Sequence, residues 1–405
     1  DRAHDQVLET IERYFGIRDD DAEALLGELD SVDVVGGDWL FRQGEAADAL
    51  YFLVRGRLQV WVEPEVRGSE SAPRLLGEIT PGESVGEIGL LTGGVRTAGI
   101  RAIRDSQLLR LDRQAFEHFA VRHPNLVMQL AGGVARRLTE RTRPGSSASR
   151  NLSTVALVPL GNSQWLPGFC ARLTDELRKR VSTLCLTAAD LGKHGAPVDA
   201  LSPEDEIPGS LHRWLDAREN DHRLLIYVAD EGDTPWSRLC IRQADMILLL
   251  ADAGGDPTPG QWETQLLNSD GATTARRALI LRHPARDSPI SGTMKWLEGR
   301  DIEFHLHLRG ASDAETSRIV RMLMGDSVGL VLGGGAARGF AEVGAYRAMH
   351  EAGVPIDWVG GTSIGGIIGA AIALDQGPDY VTENSRKAFV EGKPFGDYTL
   401  PVLSL

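Results

Sequence analysis

The chain has 405 residues, of which 42% are hydrophobic and 25% are charged, and its formal net charge is −14. This length is too great for one hydrophobic core and predicts two or three domains of a soluble globular protein. The acidic balance argues against a nucleic-acid partner, because binding a phosphate backbone needs a basic face, and it disfavours tight adsorption to anionic lipid.

The cysteines and the apolar runs predict a cytoplasmic protein without a metal site. Cys170, Cys185 and Cys240 show no metal-ligand spacing and are too few for a disulfide framework, which fits a reducing compartment. No apolar run approaches the roughly 20 residues that span a bilayer. The charged start Asp1-Arg-Ala-His-Asp5 does not resemble a signal peptide.

The N-terminal third is predicted to be a β-barrel or jelly roll between helices. Residues 4–29 carry apolar side chains at helical spacing. From Val32 onward, short alternating strands follow, separated by glycine turns such as Gly56 at the regular intervals of a barrel. A helix from about Arg113 to Arg141 closes this part of the chain.

Within the predicted barrel, the segment from Val85 to Ala98 contains the residue types that a phosphodiester site requires. A buried cyclic phosphate needs a guanidinium for charge-assisted bonds, N–H groups at a short helical turn, and a carboxylate that accepts from a sugar hydroxyl. Arg96, the turn from Gly86 to Leu90, and Glu87 supply these groups. For two lone charges, a surface Glu/Arg pair beside a hairpin would be the better interpretation.

Three segments in this order and spacing, Leu50–Gly56, Gly77–Gly82 and Gly86–Ala98, resemble a cyclic-nucleotide-binding domain of bacterial type. The resemblance implies that Arg96 binds the cyclic phosphate of cAMP or cGMP and that Glu87 binds the ribose 2′-hydroxyl. Val85 and Gly99 depart from the family pattern, in which an aromatic and a β-branched residue are common at these two positions. These departures bear on the affinity for the nucleotide more than on the identity of the domain. The remaining implied pocket residues are Gly86, Ile88, Gly89, Thr97 and Ala98.

The middle of the chain is predicted to be a parallel, doubly wound sheet. A flexible linker spans 143–152, and apolar strands then alternate with helical stretches through 153–325. Its turns contain no Walker loop, Rossmann fingerprint or metal cluster. His305 and His307 alternate on one strand and are predicted to be exposed positions rather than ligands.

Two strand–glycine–helix units occupy Val328–Leu374. The first leads through Gly333–Gly339 into a helix, and such a glycine run points several free N–H groups at one spot. The second contains Gly361-Thr-Ser363-Ile-Gly365, the G-x-S-x-G pattern of a nucleophile elbow. An ordinary βα turn would also explain this pentapeptide, but acyl transfer needs a second set of N–H donors, and the glycine loop supplies it.

Context distinguishes Ser363 from two other serines in the same pentapeptide. An elbow needs a strand before the serine and a helix after it. Ser327 opens a strand and is predicted to be a turn residue, and Ser84 is predicted to be a loop hydroxyl. A dinucleotide-binding loop at Gly333–Gly339 is disfavoured, because Ala336 stands where that fingerprint has a glycine.

The two units together resemble the patatin-like phospholipases. That family has a glycine-rich oxyanion loop with an arginine, a G-x-S-x-G serine, and an aspartate base in a downstream D-G-[GA] motif. The resemblance implies that Ser363 is the nucleophile and that Gly334, Gly335 and Ala336, with Arg338, form the oxyanion hole. No D-G-[GA] motif occurs in the 42 residues after Ser363. We therefore expect a C-terminally truncated chain that lacks its base and is inactive by itself.

Parts of the middle region and of the C-terminal tail are similar to the neuropathy target esterase family, so the resemblance spans the chain. It implies a multidomain fold: a jelly-roll cyclic-nucleotide-binding domain (1–142), the linker (143–152), an α/β doubly wound domain (153–325) and the start of an α/β patatin-like domain (326–405). It also implies hydrolysis of a phospholipid or lysophospholipid by a Ser/Asp dyad. Peripheral contact with a membrane and a homo-oligomer are left open.

A second hypothesis of a different class is a nucleotide-binding sensor or scaffold with an inactive hydrolase domain. A catalytic aspartate in sequence downstream of residue 405 would favour the enzyme. A third idea, a transcription regulator, would need a basic recognition helix, which this acidic sequence lacks.

Overall fold

The computed structural model describes residues 20–63, 73–122, 128, 130–132, 152–161, 164–197, 209–268, 273–285, 290–310 and 312–392. The chain divides into two compact units, Asp1–Thr316 and Ser317–Leu405. Most of the predicted N-terminal helix and nearly all of the predicted linker lie outside the described residues. The bounds of the three domains and of the linker given above stay a prediction.

The first unit begins with an antiparallel barrel, as predicted. Its sheet runs in the order β1-β6-β3-β4, with β2 paired to β6 and β5 paired to β3. Alternate residues of the strands face inward and form an apolar core around Leu53, Leu58 and Leu108, which are all fully buried. The strands are β1 (Asp30–Val34), β2 (Trp39–Phe41), β3 (Ala49–Val62), β4 (Arg74–Ile79), β5 (Ser84–Val85) and β6 (Gly99–Asp112). The helices are α1 (Asp20–Gly27), α2 (Glu87–Thr92) and α3 (Arg113–Arg122).

The glycine predicted to end a strand instead lies inside one. Gly56 has φ 96° within β3, at an irregular register between β3 and β6. A Cβ at this glycine would lie only 2.2 Å from the Ser106 Oγ, so the close pairing of the two strands excludes a side chain. The prediction of a turn at Gly56 is therefore wrong, and β3 and β6 each run for 14 residues.

The first unit continues into a six-stranded parallel sheet in the order β12-β11-β10-β7-β9-β8, which confirms the predicted doubly wound α/β architecture. Its central strands are buried on both faces, because helices cover the sheet. The strands are β7 (Thr154–Pro159), β8 (Thr183–Thr187), β9 (Leu224–Val228), β10 (Met246–Asp252), β11 (Arg276–His283) and β12 (Phe304–Arg309). The helices are α4 (Leu166–Arg178), α5 (Gly209–Asp221), α6 (Pro235–Arg242), α7 (Gln261–Asn268) and α8 (Thr293–Leu297).

Two of the histidines of this sheet form a hydrogen-bonded pair. The Nδ1 of His307 lies 2.8 Å from the Nε2 of the buried His283 on the neighbouring strand. Burial, with smaller contributions from His283, His305 and Arg309, lowers the pKa of His307 to about 4, and burial also lowers the pKa of His283. His305 is exposed as predicted, whereas the prediction for His307 is wrong, since this side chain is half-buried.

The carboxylate of Asp245 contacts both the barrel and the parallel sheet. Asp245 is 3% exposed and immediately precedes β10. Its Oδ1 lies 3.2 Å from the Nε of Arg57 on β3 and 3.1 Å from the Nε of Arg104 on β6. Its Oδ2 accepts the backbone N–H groups of Ser153 and Thr154 at 2.7 and 3.2 Å. One side chain thus contacts two strands of the barrel and the start of β7 in the parallel sheet.

The two arginines at this junction are buried and have further acidic partners. Arg57 and Arg104 are 3% and 2% exposed. Arg57 also pairs with Glu78 at 3.1 Å, and Arg104 pairs with Glu219 at 2.7 Å. Burial alone would lower the pKa of Arg104, but the two neighbouring carboxylates raise it above its ordinary value. Both guanidinium groups are therefore compensated charges inside the first unit.

The second unit contains a two-stranded parallel sheet, β13 (Gly329–Leu332) and β14 (Trp358–Gly361). The sheet is accompanied by four helices: α9 (Asp313–Met324), α10 (Phe340–Glu351), α11 (Ile364–Ala373) and α12 (Pro378–Arg386). The boundary between the two units falls within α9, so this unit contains α9 from Ser317 onward. The carboxylate of Asp357 is fully buried, accepts two bonds from Arg321 at 2.6 and 2.8 Å, and accepts the Val328 N–H at 3.0 Å. These bonds hold the start of β13 beside the start of β14.

No helix among the described residues is both long enough and apolar enough to cross a bilayer.

Candidate functional sites

The predicted phosphate cassette forms the connection between β5 and β6. Gly86 has φ 87°, a left-handed conformation that glycine adopts at the least cost, and it precedes α2. A Cβ at Gly86 would lie 2.4 Å from Arg96 Nη1, and a Cβ at Gly89 would lie 2.6 Å from that of Ala47. Both glycines are therefore required by the close packing of this turn.

Arg96 is the buried cation of the cassette, with 2% of its surface exposed. Its Nη1 donates to the Ala49 carbonyl at 2.7 Å, and its Nη2 donates to the Asp48 Oδ1 at 2.9 Å. The guanidinium carbon lies 4.1 Å from the ring centroid of Phe41 and 5.5 Å from that of Tyr51. Burial lowers the pKa of Arg96 and Asp48 opposes that shift, so the group stays protonated.

Of the predicted pocket residues, Gly86 contacts Arg96, and the others differ in their exposure. Arg96 Nη1 donates to the Gly86 carbonyl at 3.4 Å, and the neighbouring Glu87 is 4% exposed. The side chains of Ile88 and Thr97 are exposed, and that of Ala98 is half-buried. The roles of these residues in nucleotide binding stay predictions.

Sequence reasoning missed the groups that hold Arg96. Phe41 and Tyr51 lie on strands whose inward alternation could have placed them inside the barrel, and aromatic faces near an arginine are a usable signal. No sequence pattern identifies Asp48 or the Ala49 carbonyl as partners of Arg96, because each lies more than 45 residues from Arg96 along the chain.

Ser363 occupies the strained backbone position expected of a nucleophile elbow. It lies between the end of β14 and the start of α11, with φ 54° and ψ −126°. Among the described residues, only Asp375 shares a positive φ without being glycine. Such torsions are costly for a residue with a Cβ and are maintained by surrounding structure. The side chain of Ser363 is exposed.

The two glycines of the elbow are required by close backbone contacts, Gly365 with the glycine loop and Gly361 with the start of α11. A Cβ at Gly365 would lie 2.4 Å from the carbonyl oxygen of Gly333, and a Cβ at Gly361 would lie 2.5 Å from the carbonyl of Gly365. On the loop itself, a Cβ at Gly334 would lie 3.4 Å from the Cβ of Ser363. The predicted donor loop and the predicted nucleophile are thus direct neighbours.

The loop then enters a short 3-10 turn, Ala336–Gly339, before α10 begins at Phe340. The backbone N–H of Arg338 donates to the Gly335 carbonyl at 3.0 Å, and the Arg338 side chain is exposed. Arg338 therefore shapes the loop through its main chain.

The structure also places the two competing serines, and the prediction that Ser84 is a loop hydroxyl is wrong. Ser84 is not a loop residue, because it lies in β5 and is 1% exposed. Ser327 is half-buried and precedes β13. Ser327 thus lies between a helix and a strand, in the reverse order of an elbow, and neither serine has the positive φ of Ser363.

No carboxylate of the described residues accepts a hydrogen bond from the Ser363 hydroxyl. Asp357 is engaged by Arg321 and by the backbone, and Asp379 pairs with Arg347 at 2.7 Å. Asp375 follows α11, and Asp397 lies outside the described residues. A base for Ser363 is therefore not found in the part of the chain that the structure describes.

Comparison with known families and proteins assigns three parts of the chain. Residues 31–123 match the model of the cyclic nucleotide-binding domain, and 151–326 match the neuropathy target esterase family P-loop like domain. Residues 330–392 match the patatin-like phospholipase model. Together these matches cover most of the chain.

Curated relatives align with most of this chain. Patatin-like phospholipase domain-containing protein 7 of Mus musculus is 33% identical over 93% of this chain and 31% of its own length. Lysophospholipase nte1 of Aspergillus fumigatus is 32% identical over 86% of this chain and 27% of its own length. The chain thus spans about a third of the relatives it matches. It belongs to the neuropathy target esterase family of patatin-like phospholipases.

Solved structures also align with one portion of the chain. The N-terminal domain of a transcriptional regulator from Streptomyces coelicolor A3(2) is 26% identical, with a TM-score of 0.27, and the match covers 33% of this chain and 94% of that one. The regulatory domain of Toxoplasma gondii PKA with cAMP is 19% identical, with a TM-score of 0.27, over 35% and 50% of the two chains.

Proposed function

We propose that this chain is part of a serine hydrolase that releases fatty acid from phospholipids or lysophospholipids under the control of a cyclic nucleotide. One observation carries the proposal: the exposed Ser363 has the strained torsions of a nucleophile elbow and lies directly beside the Gly333–Gly335 loop. The names of the curated relatives, phospholipase and lysophospholipase, support the choice of substrate class.

In the proposed reaction, the Ser363 Oγ attacks the ester carbonyl of the lipid while an aspartate takes the hydroxyl proton. The negative charge that develops on the carbonyl oxygen is stabilised by N–H groups of Gly334 and Gly335. The lipid alcohol leaves with a proton from the aspartate, and water then releases the fatty acid from the serine ester. By its resemblance to the family, we place this aspartate in sequence downstream of residue 405.

We propose that Arg96 and Glu87 bind the cyclic nucleotide that regulates the hydrolase. A cyclic phosphate carries one negative charge, and a buried guanidinium can bind it through two parallel N–H···O bonds. Arg96 already donates to Asp48 and to the Ala49 carbonyl, so a bound phosphate would exchange partners with them. Glu87 would accept from the ribose hydroxyl. Either cAMP or cGMP satisfies this chemistry.

We further propose that the protein works in the cytoplasm and meets its lipid by peripheral contact with a membrane. The sensor or scaffold with an inactive hydrolase domain is retained as the second function, because no base for Ser363 is found among the described residues.

A turnover assay tests the proposal. The full-length protein should release fatty acid from a lysophospholipid, and added cAMP or cGMP should change the rate. The 405-residue chain should hydrolyse the same lipid barely above background, because no carboxylate among the described residues is placed to take the Ser363 proton. Robust turnover by the 405-residue chain would show that a residue within this chain serves as the base for Ser363. A full-length protein without turnover would favour the scaffold.

A substitution at Arg96 tests the nucleotide site. We expect Arg96→Ala to weaken cyclic-nucleotide binding by about 2–5 kcal/mol, because a buried phosphate charge loses its partner. Isothermal calorimetry with cAMP and with cGMP measures the change. Arg42→Ala is a matched control, since Arg42 is an exposed arginine of the same barrel. Equal affinities of Arg96→Ala and the parent protein would refute the pocket assignment.

A further inference from the structure

The glycine loop beside Ser363 contacts a carboxylate that the proposed reaction does not use. Glu342 lies in the first turn of α10, and its Oε1 accepts the backbone N–H of Gly333 at 2.7 Å. Its Oε2 is buried and accepts no hydrogen bond within the described part of the chain. The Gly333 N–H is therefore occupied and is not available to a substrate oxygen.

Gly333 is held on two sides. Its N–H is bound by Glu342, and its carbonyl oxygen packs so closely against Gly365 that a Cβ there would lie 2.4 Å away. This carbonyl shares one rigid, planar peptide unit with the N–H of Gly334. Holding the carbonyl toward the elbow glycine therefore also fixes the direction in which the Gly334 N–H points.

The loop needs such support because of its composition. Three consecutive glycines adopt many backbone conformations with nearly equal ease, whereas oxyanion donors are effective only when they are oriented before the reaction. Within the described residues, the N–H groups of Gly334 and Gly335 donate to no protein group. They stay available beside Ser363, and the contact of Glu342 with Gly333 is the side-chain bond that anchors their loop.

We propose that Glu342 is a positioning residue that orients the oxyanion donors of Gly334 and Gly335 by binding the N–H of Gly333. The inference rests on the proposed function of Ser363. Glu342 acts through the main chain and does not touch the substrate. Its useful property is the hydrogen-bond acceptor and not the negative charge, since a nearby anion would oppose a developing oxyanion.

Substitutions that separate the acceptor from the charge test this role in the full-length protein. Glu342→Gln keeps an acceptor oxygen, and we expect a kcat at least half that of the parent. Glu342→Ala removes the acceptor, and we expect kcat to fall about 10- to 100-fold with KM changed by less than about 3-fold, because removing a donor outright costs about 10²–10³. The rate of labelling by an organophosphorus probe should fall in parallel, since that reaction also places charge on an oxygen in the hole.

The control is Glu351→Ala, an exposed glutamate in the last turn of the same helix, which should leave kcat unchanged. If Glu342→Ala does not fold, Glu342→Met removes the acceptor with less change in volume and should show the same loss of kcat. An unchanged kcat in the folded Ala or Met variant would overturn the proposal, as would equal losses in the Gln and Ala variants. Failure of Ser363 as the nucleophile is detected separately, by turnover that persists in Ser363→Ala.

Discussion

Ser363→Ala in the full-length protein should abolish both lipid hydrolysis and labelling by an organophosphorus probe. We expect a loss of at least about 10⁴-fold in kcat, the scale seen when a nucleophile is removed from a serine hydrolase. The reason is geometric: of the three G-x-S-x-G serines, all within the described residues, Ser363 alone has a positive φ, at the turn from β14 into α11 and beside the glycine loop. Mass spectrometry of the labelled protein should find the probe on this residue.

The matched control is Ser327→Ala, which occurs in the same pentapeptide pattern but precedes β13. This variant, and Ser84→Ala, should keep labelling and turnover. Cyclic-nucleotide affinity should be unaffected by Ser363→Ala, because Arg96 belongs to the other compact unit. Labelling at a different serine, or undiminished hydrolysis by Ser363→Ala, would remove the support for the enzyme and leave the scaffold.

Asp245→Ala is expected to have the largest effect on stability. The substitution leaves Arg57 and Arg104, both at least 97% buried, without the carboxylate they share, and it removes the acceptor of two backbone N–H groups. Breaking a buried ion pair from one side costs about 3–5 kcal/mol. We expect a loss of that size in the unfolding free energy of the first unit, measured by urea titration of the 405-residue chain.

Two further variants separate the causes of this loss. Asp245→Asn keeps one oxygen for the backbone N–H groups and should lose less than the alanine variant. Asp233→Ala breaks an exposed, two-bond pair with Arg238 in the same unit and should cost no more than about 1 kcal/mol. If Asp245→Ala costs no more than Asp233→Ala, the barrel and the parallel sheet are not held together by this carboxylate.

The parts of the fold that follow from short-range pattern could be predicted from sequence. The elbow at Ser363 depends on a strand, two glycines and a helix within about ten residues, and the sequence shows each of these local features. The alternation of strands and helices in the middle region likewise reflects burial on both faces of a parallel sheet.

The errors concern contacts between residues that are far apart in sequence. Gly56 was predicted to be a turn because a glycine with positive φ serves both turns and bulges, and only its close approach to Ser106 decides between them. Arg57 and Arg104 are polar residues within strands and look solvent-exposed in sequence. Their partner Asp245 lies more than 140 residues further along the chain, and no local periodicity can reveal such a pair.

At Ser363, the residue needed for the proposed reaction and the residue that would be most stable in this backbone conformation are different. At φ 54° and ψ −126° a serine carries a strain of about 1–3 kcal/mol, whereas a glycine adopts this region with little penalty. The residue that would make this elbow most stable is therefore one that cannot react. In a lineage where lipid hydrolysis no longer matters, mutation should drift toward glycine at this site while the fold persists. A glycine in place of the elbow serine would then mark a relative that has kept the sensor and lost the enzyme.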